Sequence, residues 1–405
     1  KEARHFLLYL AAMLAWQSGQ AIVAFNKQTG EQVWKQEAEG FVGTWGTPVL
    51  VEVDKQRTDL VIGVPYEIWG LNPETGKLRW YCEASQDDSY CSSVVAEGDT
   101  VFAVEGRGGG SFAIRAGGKD DVTKTHVLWS GKERNRIGSP LLMDGLLYFV
   151  SGRIVTCIDA KTGKYRWHYQ QVHHDIWDYD LPCAPNLIDI TVGRRRIKAV
   201  AQATKQGFLF VFDRETGKPV WPIEERAVPP STISGERASP TQPFPTKPAP
   251  FEPQGIGDAD LIDFTPELKA KAREILKRYV AGPLFTPYST KPTLTRPAWV
   301  GGANWPGAAV DPETGVIYIP SQSSITAFAL GPDGDRVAGL VETEEMAGSA
   351  RVVTGPEGLS LVKPPHSRIT AIDLNTGEHL WMKPNGPGAT DSPALKRFDR
   401  GWIGP

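Results

Sequence analysis

One short phrase recurs along this chain and limits what it can fold into. Phe25–Trp34 reads FNKQTGEQVW, Leu71–Trp80 reads LNPETGKLRW and Ile158–Trp167 reads IDAKTGKYRW. Phe212–Trp221 reads FDRETGKPVW, Ile372–Trp381 reads IDLNTGEHLW, and a half-copy, VDPETGVIYI, begins at Val310. An apolar residue, Asp or Asn, two variable positions, Thr-Gly and a run to Trp describe two strands around a tight turn. Glycine supplies the positive φ, and the polar residues before it satisfy the turn backbone. A repeat at this spacing sets the architecture before any other feature is weighed.

The glycines at 30 and 76 lie 46 residues apart, and those at 76 and 163 lie 87 apart, about two periods. A degenerate copy, Ser111–Trp129 with Gly117-Gly118 in its turn, fills the gap. A second unit precedes the early turns: Gly46-Thr47-Pro48-Val49, Ser92-Ser93-Val94-Val95 and Gly138-Ser139-Pro140-Leu141 each open an apolar run. Four short strands per period is the pattern of an all-β propeller of four-stranded blades, whereas a β-helix uses shorter coils. The reading is one propeller domain over 1–405, with about seven blades visible. Its 13 Trp, 42 Gly and 32 Pro suit many strands and turns, and the repeat-ending Trp residues are expected to pack blade on blade.

The period breaks between Trp221 and Trp299. Nine prolines between Pro222 and Pro253 argue against strand or helix there. Thr265 and Pro266 then form an N-cap and first-turn pair, opening a helix through about Tyr279. Residues 222–299 are read as an excursion from one blade, either a packing strap or a shaper of the central site.

A net charge of −3 without a long basic run disfavours nucleic acid and anionic membrane as partners. Four cysteines make no framework. Cys82 and Cys91 are near enough in sequence to close a loop, and Cys157 reads as a small core residue. The apolar run Phe6–Trp16 is too short for a membrane span. It reads equally as a signal-peptide core or as the edge of a blade feeding the strand Ile22–Phe25.

Chemistry concentrates in Gln171–Pro185, QVHHDIWDYDLPCAP, where His173, His174, Asp175, Asp178 and Asp180 surround Trp177 and Tyr179. The His-His-Asp run matches no common zinc spacing. A carboxylate walled by aromatics suits a general base. Lys205, 27 residues after Asp178, opens an apolar strand; carried inward, it offers a cation to an electron-rich oxygen. The Gly-rich run 106–110 lies between strands and opens no helix, so it is not a dinucleotide loop.

QVHHDIWDYDLP, IKAVAQATKQGFLFVFDRETGKPVWPIEE, SPTQPFPTKP, GPLFTP, GGANWPGAAVDPETG and LVKPPHSRITAIDLNTGE together resemble the catalytic half of the pyrroloquinoline quinone (PQQ)-dependent dehydrogenases, most closely the membrane-type quinoprotein glucose dehydrogenases. The resemblance covers about residues 151–388. It implies an eight-bladed ring, Asp178 as catalytic base, and Lys205, Asn304 and Trp305 at the cofactor. It also implies a calcium or magnesium ion, with Asp178 as one ligand and Glu105 as a second candidate. The substrate implied is a sugar or alcohol, the electron acceptor a quinone or cytochrome, and the location periplasmic or membrane-associated.

Residues 20–165 instead resemble the plain PQQ-repeat propellers typified by the assembly lipoprotein BamB. Where the family carries a metal-ligating Asn, this chain reads Ser151-Gly152-Arg153, and Ile176 stands where lanthanide-using relatives have a further Asp. Relatives continue for another blade beyond Pro405, so an incomplete ring is expected. A noncatalytic scaffold propeller is the alternative function.

Overall fold

The computed structural model describes residues 6–9, 21–84, 88–105, 110–135, 137–330, 346–347 and 352–386. The chain divides between Tyr169 and Gln170 into two compact units. Strands dominate both, nearly all paired antiparallel with their sequence neighbours.

In the first unit the repeats are up-and-down sheets. Val49–Glu52, Thr58–Val64, Glu67–Leu71 and Leu78–Glu83 form one, to which Asp120–Asp121 adds a short parallel fifth strand, and Leu141–Met143, Leu146–Ser151, Ile154–Asp159 and Tyr165–Gln170 form another. Between them in sequence, Val95–Glu97, Thr100–Glu105, Gly110–Arg115 and Val127–Gly131 form a third. Phe6–Tyr9 pairs with Ala21–Asn26, which pairs with Gln32–Glu37. Residues 10–16 of the N-terminal apolar run lie outside the described residues, as do 106–109 of the Gly-rich run; Gly110 opens a strand.

The recurrent phrase has one geometry. The glycine N–H donates to the Asp or Asn carbonyl, Gly30 to Asn26, Gly76 to Asn72 and Gly163 to Asp159, each at 2.8 Å. The Asp or Asn side chain accepts further turn amides, as Asn26 Oδ1 does from Gln28 N at 2.9 Å. Each glycine sits near φ +70°, where a side chain is strained. In several copies the Trp that ends one phrase stacks on the turn of a later one, whereas Trp80 lies on Gly70 of its own sheet. A Cβ on Gly76 would lie 2.6 Å from the Trp34 ring, whose Nε1 donates to Pro73 O at 3.0 Å. Trp129 repeats this on Gly163, donating to Ala160 O at 2.8 Å. Sheet-on-sheet packing is thus written into the repeat.

The second shared unit makes a ladder at the same spacing. Thr47 N donates to Ser93 Oγ at 2.9 Å and Ser93 N to Ser139 Oγ at 3.0 Å. No disulfide joins Cys82 to Cys91, and Cys157 is a fully buried thiol pushed up to about 12 by burial.

In the second unit, Asn186–Val192, Arg195–Ala203 and Leu209–Asp213 form a three-stranded sheet. Its fourth strand shrinks to a bridge between Phe212 and Pro219, because Pro219 and Pro222 cannot donate to a ladder. Ala309–Asp311, Val316–Gln322, Ser367–Asp373 and Glu378–Pro384 form the other blade-like sheet. The half-copy at Val310 is the turn between that sheet's first two strands, and Thr314 O accepts from Asn375 Nδ2 in the neighbouring Thr-Gly turn at 3.0 Å.

The Pro-rich stretch corrects one expectation. Ile223–Ala227 pairs with Thr241–Pro245 despite Pro243 and Pro245, since a two-stranded ribbon is all edge and tolerates proline. Thr265 Oγ1 accepts from Leu268 N at 3.2 Å to cap the helix Pro266–Leu276, which buries Leu268 and Ala272 and ends three residues before Tyr279. A second excursion, unforeseen in the sequence, sends Thr326–Phe328, Met346–Ala347 and Val352–Val353 into a separate sheet with Thr293–Thr295.

Candidate active site

The acidic segment leaves the strand ending at Gln170 and runs without regular structure to Asn186. Excursion residues grip it at three points. Gln242, fully buried, accepts from His173 N at 2.8 Å and donates to His173 O at 2.7 Å. Trp177 Nε1 donates to Thr286 O at 2.8 Å, and Tyr179 Oη to Pro297 O at 2.6 Å. Trp177 and Tyr179 stack with centroids 6.2 Å apart, and Phe285 meets both edge-on. Burial holds the Tyr179 phenol well above its ordinary pKa, so it serves as an anchor.

With Trp177 and Tyr179 buried, the alternate residues Asp178 and Asp180 keep access to solvent, their side chains 59 % and 32 % exposed. Asp178 has φ +63°, a left-handed conformation that Asp tolerates better than most residues. Lys205 reaches this pair from the turn between Arg195–Ala203 and Leu209–Asp213. Its side chain is only 7 % exposed. Its Nζ donates to Asp178 O at 2.9 Å, to Asp178 Oδ2 at 3.1 Å and to Asp180 Oδ1 at 2.5 Å. An ammonium has three donors, and all are used. A buried cation is tolerable because two carboxylates and a carbonyl replace its water.

Asn304 and Trp305 lie on the loop that backs Lys205. Gly302 N donates to Lys205 O at 2.8 Å, and a Cβ on Gly301 would lie 2.4 Å from Lys205 Cγ. The Asn304 amide is turned into its own loop, donating to Val300 O at 2.5 Å and accepting from Trp305 N at 2.8 Å. Trp305 is 67 % exposed. The structure therefore joins Lys205 directly to Asp178 and places Asn304 on an adjoining loop. Glu105, fully buried at the end of Thr100–Glu105, belongs to the first unit, as does Arg153.

Sequence reading singled out neither Asp180 as a Lys205 partner nor the buried Glu252, whose stem adjoins the Lys205 turn at Gly207. The period-2 alternation of Trp177-Asp178-Tyr179-Asp180 held the signal for Asp180. Glu252 had none, since an isolated Glu among prolines reads as solvated.

The chain is similar in fold to solved dehydrogenases. The quinohemoprotein alcohol dehydrogenase from Comamonas testosteroni aligns with a TM-score of 0.56 at 17 % identity, over 90 % of this chain and 58 % of that one. A europium-containing methanol dehydrogenase aligns with a TM-score of 0.57 at 14 % identity, over 89 % and 67 %. The fold is of the β-propeller class. Residues 139–402 match the family described as glucose/ethanol/alcohol dehydrogenase, β-propeller domain, and the chain belongs to that family. Residues 7–169 match the description outer membrane protein assembly factor BamB.

Among curated proteins, the glycerol dehydrogenase large subunit of Gluconobacter thailandicus is 31 % identical over 88 % of this chain and 52 % of its own length. The quinoprotein glucose dehydrogenase of Escherichia coli (strain K12) is 31 % identical over 80 % and 42 %. The chain spans about half the length of these relatives.

Proposed function

We propose that this chain is the propeller portion of a quinoprotein dehydrogenase that oxidises a sugar or alcohol hydroxyl, with Asp178 as base and Lys205 as the cation at the cofactor. The observation that carries this reading is the nearly buried Lys205 ammonium bonded to Asp178 and Asp180. A surface lysine needs no such shell, and the two carboxylates it holds keep access to solvent, as a base must.

The residues present suit pyrroloquinoline quinone, a planar ortho-quinone whose oxygens are electron-rich and whose ring carbons are electron-poor. Lys205 supplies a fixed cation, and the Gly301 backbone lies against its stem. When bound, the quinone supplies a hydride acceptor. The chain's part is to place and deprotonate the alcohol. Lys205 occupies Oδ2 of Asp178, and Oδ1 has no donor among the described residues. Oδ1 is therefore the atom that accepts the hydroxyl proton. Asn304 and Trp305, on the 300–307 loop that backs Lys205, are assigned to the cofactor side as part of this proposal.

Calcium or magnesium needs several oxygen ligands. Among the described residues, no group of three or more His, Cys, Asp or Glu side chains is placed to hold a metal, so no step is assigned to one. The reading of 1–405 as one propeller domain with 222–299 as its excursion belongs to this proposal. So do a quinone or cytochrome acceptor and a periplasmic location. No helix among the described residues is long and apolar enough to cross a membrane.

The test is reconstitution of the chain with PQQ, with and without calcium or magnesium, read by absorbance and dye-linked oxidation of sugars and alcohols. Binding without turnover on any hydroxyl substrate would leave only the scaffold reading, which the BamB match of 7–169 favours.

A further inference from the structure

The turn that carries Lys205 is held from behind by Phe251–Gln254, a piece of the Pro-rich excursion. Phe251 N donates to Gly207 O at 2.9 Å, and Gln254 Nε2 donates to Gln206 O at 2.8 Å. Between them Glu252 enters the interior and is fully buried. Its stem passes between two glycines. A Cβ on Gly207 would lie 2.8 Å from Glu252 Cβ, and one on Gly302 would lie 2.9 Å from Glu252 Cγ. Gly207 is two residues after Lys205, and Gly302 donates to the Lys205 carbonyl. Glu252 therefore touches both backbone segments that fix Lys205.

Its carboxylate is locked in place. Oε1 accepts from Ser321 Oγ at 2.6 Å and lies 3.2 Å from Arg368 Nε, while Oε2 accepts from Ser323 Oγ. Arg368 in turn donates to Ser323 Oγ at 2.9 Å and to Pro365 O at 2.8 Å. Well-packed apolar residues would stabilise such a place as well as a buried ion pair does. A directional group is needed where a fixed position matters more than stability.

We propose that Glu252 is a positioning residue for Lys205, a wedge between Gly207 and Gly302 held by Ser321, Ser323 and Arg368. It sets where the ammonium stands. The consequence for cofactor binding rests on the quinoprotein reading; the consequence for Lys205 itself does not.

The test is competitive acetylation of the cofactor-free chain with acetic anhydride, followed at Lys205 by peptide mass spectrometry with exposed Lys161 as reference. Glu252→Ala is expected to raise Lys205 labelling about 5- to 30-fold, the factor for losing a modest local restraint. Glu252→Gln, which keeps the wedge, is expected to stay within about twofold. Gly302→Ala, which crowds the wedge from the other side, is expected to raise labelling as Glu252→Ala does, and it decides the matter if Glu252→Ala does not fold. Unchanged Lys205 labelling in both variants, with a lowered melting temperature, would make Glu252 a packing residue only.

A PQQ titration of the same proteins adds a second arm. Glu252→Ala should weaken binding when Lys205 is present and have no effect in the Lys205→Ala background. Equal losses in both backgrounds overturn the proposal. A wild-type chain that binds no PQQ overturns the quinoprotein reading, while the labelling result still stands.

Discussion

The ammonium of Lys205 donates twice to Asp178, to its carbonyl at 2.9 Å and to its carboxylate at 3.1 Å. The two contacts have different consequences. The carbonyl bond ties Lys205 to the main chain of the acidic segment and survives any change of the Asp178 side chain. The carboxylate bond ties the cation to the base.

Asp178→Asn keeps an oxygen for Lys205 and removes the proton acceptor. Dye-linked turnover is expected to fall about 10²–10⁴-fold, the usual worth of a positioned base. PQQ affinity, measured by absorbance titration, should change less than about threefold, well under the 1.4 kcal/mol of a tenfold step. Affinity falling in parallel with turnover would show that Asp178 is a binding residue instead.

Lys205→Ala removes the cation and leaves Asp178 and Asp180 to face each other. To bond the quinone, the ammonium must turn one of its three donors from an aspartate; a charge-assisted hydrogen bond is worth about 1.5–3 kcal/mol, so losing it should weaken PQQ binding by up to about 10- to 150-fold. Lys205→Arg should not restore it fully, because a planar guanidinium cannot copy three diverging donors. Full rescue by arginine would count against the three-point geometry.

Much of the fold was legible because its repeat is a local device. The Asp-to-Gly turn bonds, the positive φ at glycine and the Trp34 and Trp129 contacts all follow from residues named in the phrase. The Asp178–Lys205 pair was legible through its spacing and the family resemblance. What stayed hidden depends on contacts between distant segments. Nothing local marks Glu252 as the partner of Ser321, Ser323 and Arg368, 69 or more residues away. Counting prolines also misled for Thr241–Pro245, because proline excludes a central strand but not an edge.

In the first unit, Asp59 is fully buried and bonded to Arg57, Arg79 and the Trp80 indole at 2.7 Å. Burial pushes its carboxyl up, but these partners together hold it below the ordinary value. Asp59→Ala strands the indole N–H, removes the carboxylate from both guanidiniums and leaves Arg79 the Thr58 carbonyl. Because each Arg side chain is about 30 % exposed, the expected loss is about 2–4 kcal/mol, toward the low side of a broken buried pair. Thermal and urea unfolding measure it. A change under about 0.5 kcal/mol, the level of an ordinary surface substitution, would show that water replaces Asp59 without cost.

His366 contributes to the pH dependence of the second unit. Burial lowers its pKa below the ordinary 6.5, and the charges of Arg296 and Arg368 lower it further. The folded protein thus prefers neutral imidazole, while the unfolded chain takes up its proton near 6.5. With more protons bound in the unfolded state, stability rises with pH through this window. His366 therefore adds no penalty above 6.5 and destabilises the fold increasingly as pH falls from there toward its depressed folded value. His366→Gln cannot titrate. Melting temperatures measured from pH 8 to pH 5 should fall less steeply for the variant than for the wild type, with the curves separating below about 6.5. Parallel curves, or a wild type that gains stability on acidification relative to the variant, would mean that the imidazole is not held neutral between those two arginines.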